Sequence, residues 1–168
     1  MTDISEFMSQ DHDRLDAIFA NFRKNSAGGQ AKQLFSQFES GLRAHIAWEE
    51  EILFPPFEER IGMRDSGPTA VMRVEHRRIK ELLRSIRDGI DGGRQVFLRV
   101  PETGRLQPIT IKDRTGVDAS ANDLKDVLQA HNHKEAQILY LWLERTLADG
   151  ERSALLGRIQ SLPGMREN

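Results

Sequence analysis

From Phe35 to Ile52 the stretch FSQFESGLRAHIAWEEEI sets Phe35, Phe38, Leu42, His45, Glu49 and Ile52 at alternating steps of three and four. That spacing is the inward seam of a bundled helix, so a histidine and a carboxylate share a buried face with phenylalanines and leucine. No other feature constrains the fold as strongly, because charge that faces a core has to be neutralised. Positions i and i+4 stack on one side of a helix, so His45 and Glu49 can aim at a single point. One such pair, taken alone, reads as a buried hydrogen bond. Its recurrence on three other segments turns the reading toward a bound cation.

The first of those segments runs over 3–24, with Met8, His12, Leu15, Phe19 and Phe22 on its seam and Thr2 or Ser5 as its cap. Asn25–Gly29 is a short turn, as expected between antiparallel neighbours. The second helix covers about 30–61, and Pro55–Pro56 should bend or interrupt it. Phe54 and Phe57 beside the prolines plug the bundle end. Glu50 and Glu51 rotate off the seam and read as solvated, with Glu50 a reserve ligand. A third helix, 68–92, carries Met72, His76, Ile79, Leu83, Ile86 and Ile90, and Gly92–Gly93 ends it. A fourth, 120–148, carries Leu124, Leu128, His131, Glu135, Ile138 and Trp142, repeating the His-x-x-x-Glu pair. His133 lies about 200° round the helix from His131 and faces away.

Between the third and fourth helices, about 95–118 reads differently. Val96, Leu98 and Val100 alternate, Pro101–Gly104 signals a turn, and Ile109 and Ile111 alternate again. This predicts a β-hairpin with Pro108 confining its second strand to an edge. A two-stranded hairpin is marginal by itself, so it packs on the bundle or contacts a second subunit in a homodimer. Leu155, Leu156 and Ile159 mark a short terminal helix that covers one end.

Composition narrows the function classes. The 168 residues suit one domain, 1–168, and a net charge of -2 with no basic patch argues against nucleic acid. Cysteine is absent, which removes disulfides, thiolate metal sites and iron–sulfur ligation by this chain. The stretch Met1–Arg14 lacks the apolar run of a signal peptide, and no segment reaches the ~20 apolar residues of a membrane span. A cytoplasmic protein with no membrane partner is expected.

The expected architecture is all-α, an up-and-down antiparallel four-helix bundle. His12 and His45 lie at similar distances from their shared turn, and His76 and His131 lie at similar heights on the other pair of helices. Four imidazoles and two carboxylates at one level suit two metal ions, each held by two histidines and bridged by Glu49 and Glu135. Such donors suit iron, with manganese or zinc as alternatives. The order His-x-x-x-Glu differs from the Glu-x-x-His of ferritin-like bundles.

These residues resemble the hemerythrin-like (HHE cation-binding) domain family. The resemblance rests on Gln10-Asp11-His12, on His45-Ile46-Ala47-Trp48-Glu49-Glu50-Glu51-Ile52-Leu53-Phe54-Pro55, on Glu75-His76 and on His131-Asn132-His133-Lys134-Glu135. It implies two non-haem iron ions with an oxo or hydroxo bridge. His12 and His45 would serve one iron, His76 and His131 the other, and Glu49 and Glu135 would bridge. Oxygen carriers of the family have a second histidine one turn after the third-helix ligand, where this chain has Lys80. The resemblance therefore implies an open position on that iron, with the Lys80 amine in solvent. It also brings the chain close to the four-histidine, two-glutamate proteins implicated in repair of iron centres after nitrosative or oxidative stress.

The expected function is a di-iron protein that binds or reacts with a small diatomic ligand, oxygen or nitric oxide, in sensing, storage or stress response. The alternatives are a di-iron oxidoreductase or iron-centre repair protein, and beyond those a mononuclear metal-binding or structural bundle.

Overall fold

A computed structural model describes residues 3–26, 28–101, 104–112 and 114–162. Thr2 as a cap, Ala27 in the first turn and Glu102–Thr103 in the hairpin turn lie outside the described residues. The chain is mostly helical, with one small two-stranded sheet.

Helix α1 spans Ile4–Lys24, and its cap is Asp3, whose carboxylate accepts the Ser5 backbone N–H at 3.1 Å. Helix α2 spans Ala31–Trp48 and runs without a break through a π-helical turn, Glu49–Leu53, into α3, Phe54–Ile61. The expected interruption at Pro55–Pro56 does not occur. Both prolines follow directly on the π turn, in which the Phe54 N–H reaches back to the Glu49 carbonyl, and the helix continues through them to Ile61. Gly62, at φ 67°, closes α3 in the left-handed conformation that glycine adopts without a Cβ penalty.

Helix α4 spans Pro68–Asp91 and leads into strands β1, Gly93–Arg99, and β2, Leu106–Lys112. The strands pair antiparallel, with Phe97 opposite Pro108, and they leave Phe97, Leu98 and Leu106 exposed. Helix α5 starts at Arg114, earlier than the expected 120, and ends at Lys134. A second π-helical turn, Glu135–Tyr140, joins it to α6, Leu141–Thr146. Helix α7, Asp149–Ser161, buries Leu155 and Ile159 against one end.

Helix α1 packs on α2, α2 on α4, α4 on α5, and α5 with its π turn and α6 back on α1, so the neighbours form a ring. Helices α1 and α2 approach closely at Gly41, where a Cβ would lie 2.7 Å from Leu15 Cδ2 and require that side chain to shift. The interior holds two apolar clusters. One contains Leu15, Phe19, Phe35, Leu42, Ile79 and Leu128. The other contains Met8, Trp48, Ile52, Phe54, Met72 and Leu139. Each buried leucine or phenylalanine contributes roughly 1.5–3 kcal/mol, so both halves are hydrophobically driven.

One seam differs from expectation. Ile138 is exposed and Trp142 is half-buried, whereas Leu139 and Leu143 are buried. The π turn inserts one residue into the helical repeat, and every inward position after Glu135 moves along by one.

Candidate metal centre

The sequence of each seam explains where the polar residues lie. His12 falls between Met8 and Leu15, His45 between Leu42 and Trp48, His76 between Met72 and Ile79, and His131 between Leu128 and Leu139. In every case one neighbour belongs to one apolar cluster and the other to the second. The four imidazoles are therefore a polar waist between two hydrophobic halves, and Glu49 and Glu135 join them there. All six residues singled out from the sequence come together.

Two overlapping groups result. Glu49, His76, His131 and Glu135 each offer one ligand atom, all within 4.8 Å of one another, and His12, His45 and Glu135 form a second such group. Glu135 belongs to both. Its carboxylate lies 2.6 Å from His131 Nε2, 3.8 Å from His76 Nε2 and 3.4 Å from His12 Nε2. Glu49 lies 3.2 Å from His76 Nε2 and 3.6 Å from His45 Nε2, so it too reaches both sides. The imidazoles meet in pairs, tilted with ring centroids 4.5 Å apart for His12 and His45, and edge-on at 4.7 Å for His76 and His131.

The ring orientations are fixed from outside. His45 Nδ1 is 2.8 Å from Asp11, His76 Nδ1 is 2.7 Å from Glu50, and His131 Nδ1 is 2.9 Å from Glu75. A carboxylate behind Nδ1 holds the proton there and points Nε2 inward, as behind metal-bound histidines. Glu50 is thus not simply solvated. Its neighbour Glu49 faces the waist while Glu50 reaches across to α4.

Tyr140 is a further member that the seam pattern did not reveal. Its hydroxyl, fully buried, donates to Glu49 Oε1 at 2.5 Å, and Glu135 Oε2 lies at 3.2 Å. Tyr140 follows Glu135 by five residues, about 140° round an α-helix, and only a turn with i→i+5 hydrogen bonds brings the two to one face. Asp11 and Glu75 were missed as well, although each directly precedes a seam histidine. His133 is exposed and joins neither group.

The electrostatics follow from this enclosure. Burial works to lower the His45 pKa, but the Glu49 charge and the hydrogen bond to Asp11 outweigh it and raise it to about 10. Burial opposes His76 likewise, and its carboxylates lift it to about 11. Glu135 is pushed up by burial and pulled well below the usual range by His12, His131 and His76. Burial and the two carboxylates drive the Tyr140 phenol upward, so its proton stays in place.

Among the described residues, the buried side-chain polar atoms without a hydrogen-bond partner are His12 Nε2, His45 Nε2, Glu49 Oε2, Glu135 Oε1 and Thr69 Oγ1. All but Thr69 aim into the waist. Orphaned atoms of this kind are costly, and two adjacent cations would satisfy them together. Imidazole and carboxylate without thiolate is a donor set for iron, manganese or zinc. The residues fit a metal pair.

Comparison with known proteins bears on the same residues. The family model of the hemerythrin HHE cation binding domain matches residues 3–143. An iron-sulfur cluster repair protein YtfE of Edwardsiella ictaluri is 49% identical over 59 residues, which are 35% of this chain and 26% of that protein. Its namesake in Salmonella schwarzengrund is 36% identical over 61 residues, 36% of this chain and 27% of that protein. An uncharacterised hemerythrin-like protein of Schizosaccharomyces pombe is 30% identical over 83 residues, 49% of this chain and 41% of that protein. The aligned part thus spans well under half the length of these curated relatives. No solved structure matches the chain.

Proposed function

We propose, from the premise that the chain belongs to the hemerythrin HHE cation-binding domain family, that it holds a non-haem di-iron centre that binds or reacts with oxygen or nitric oxide. The observation that carries this reading is the pair of His/Glu groups sharing Glu135 at the waist of the bundle. In this reading residues 1–168 are one hemerythrin-like domain, and its ring of helices is an up-and-down antiparallel four-helix bundle. His12 and His45 would hold one metal and His76 and His131 the other, with Glu49 and Glu135 available to both. The hairpin's exposed Phe97, Leu98 and Leu106 face a second copy of the chain.

Bound there, an iron pair would supply labile positions and exchangeable electrons for a diatomic ligand. The chain does the rest. Asp11, Glu50 and Glu75 hold protons on Nδ1 of His45, His76 and His131 and keep each Nε2 directed inward. Tyr140 keeps a proton beside Glu49 Oε1 and fixes the carboxylate against rotation. The apolar clusters on either side exclude bulk water. Solvent reaches the waist best at His12, whose side chain is 12% exposed while those of Glu49, His76 and Glu135 are at 0%. A small uncharged ligand would arrive on that side. Among the described residues no helix is long and apolar enough to cross a membrane.

The deciding experiment is metal analysis of the chain purified without added metal, together with its optical spectrum in air. About two irons per chain and near-ultraviolet charge-transfer absorption support the reading. One zinc, or no metal, overturns it. A second reading is favoured by the two relatives described as iron-sulfur cluster repair proteins. There the centre serves repair of damaged iron centres, and restoration of a nitric-oxide-damaged iron–sulfur enzyme by the loaded chain is the test. Multiple turnover with a reductant would move the assignment to an oxidoreductase.

A further inference from the structure

The carboxylates behind the histidines are themselves backed by surface cations. Glu50 Oε1, which holds His76, lies 3.4 Å from Lys80 Nζ. Glu75 meets His131 through Oε2 and Lys134 through Oε1. On α1, Asp11 gives Oδ2 to His45 and Oδ1 to Arg14, whose Nε is 2.8 Å away. Along each line exposure falls from cation to imidazole: 37% for Lys80, 28% for Glu50 and 0% for His76. The second line reads 37% for Lys134, 22% for Glu75 and 4% for His131.

A carboxylate exposed to that degree has water as an alternative partner for both oxygens, and nothing but its neighbours keeps it against an imidazole. Asp11, at 6%, is confined by burial as well. Glu50 and Glu75 lack that confinement, so beside the imidazoles themselves the ammonium groups are what hold them in place. Lys80 also occupies the position one turn after His76, on the side of α4 that faces Glu50 across the gap.

We propose that Lys80 and Lys134 are positioning residues of the centre, acting through Glu50 and Glu75 to hold the Nδ1 protons of His76 and His131 and so to present their Nε2 atoms to a metal. The inference rests on the metal reading above but concerns groups outside the ligand set. An exposed ion pair contributes little to stability in itself. The two lysines therefore matter to the centre far more than to the fold.

The test uses Lys80→Met and Lys134→Met in the full chain loaded with zinc as a diamagnetic probe. Solvent exchange of the imidazole Nδ1 protons is read by NMR, and ferrous-iron affinity is read by competition with a chromophoric chelator. Lys80→Met should speed exchange at His76 alone and Lys134→Met at His131 alone, with His45, backed by Asp11, as the internal reference. Affinity for ferrous iron should fall by about 10-fold, the lower end of what losing an outer partner of a metal-bound histidine costs. Lys80→Arg and Lys134→Arg should restore both readings. Unchanged exchange at both histidines with affinity within about twofold of the parent overturns the proposal. A parent chain that takes up neither zinc nor iron overturns the metal reading instead, and the two failures are distinct.

Discussion

Replacing Glu135 by Gln is the most discriminating perturbation of the waist. The change keeps volume and shape, so no cavity forms, and only a charge is removed. That charge faces His131, His12 and His76 at 2.6, 3.4 and 3.8 Å, and the Glu135 side chain itself has no solvent exposure. Breaking a buried charge network by removing one partner costs about 3–5 kcal/mol, because the remaining charges stay buried without compensation. At this chain length the cost corresponds to a fall in Tm of roughly 6–20 °C. Glu135 is also the residue common to both candidate groups, so its loss should empty both rather than one. Metal content measured beside thermal unfolding should drop from about two ions per chain to near zero, since the bound metal is part of the folding free energy. His133→Ala, on the exposed face, should leave both readings near those of the parent. Glu135→Gln protein that keeps its metal and melts within about 2 °C of the parent would refute Glu135 as a shared ligand.

Tyr140→Phe removes the donor to Glu49 and Glu135 and should cost about 1–3 kcal/mol in chemical denaturation with metal content retained; loss of metal would instead mark Tyr140 as a ligand. The π turn predicts that Leu139→Ala costs about 2–5 kcal/mol and Ile138→Ala less than about 0.5 kcal/mol by the same assay, and the reverse order would refute the shifted register. In the metal-free chain His45 and His76 have pKa values raised to about 10 and about 11. Their stabilising contribution is complete below the unfolded value of ~6.5 and is lost as pH rises through the folded values. Urea titrations should thus show alkaline weakening of the metal-free chain. Metal retention should run the other way and fail as pH drops, because protons compete for the same imidazoles.

The family match covers every residue of the waist, where His12, His45, Glu49, His76, His131 and Glu135 of this chain interrupt an otherwise apolar interior. The cost of that interruption explains its elaboration. Six polar side chains cannot be buried singly: His45, His76 and His131 are each backed by a carboxylate, Glu49 and Glu135 lie against the Tyr140 hydroxyl, and His12 lies 3.4 Å from Glu135.

The six waist residues were legible in the sequence because an α-helix repeats on a regular step. His12, His45, Glu49, His76, His131 and Glu135 all sit where that step requires an inward side chain, and counting from the turns gives their common height. What tertiary structure alone decided lies where the step breaks or where two helices must be set side by side. The π turn at Glu135–Tyr140 shifted the buried face from Ile138 and Trp142 to Leu139 and Leu143 and brought Tyr140 to the carboxylates. No periodicity announces such a turn, since its extra residue is admitted by packing and by the groups it satisfies. Asp11, Glu50 and Glu75 act on histidines of neighbouring helices, and their partners follow from interhelical contact rather than from spacing along one segment. As far as Glu135 the sequence period set which residues face inward; the π turn reset that face beyond it, and the packing of helices against one another set which side chains meet.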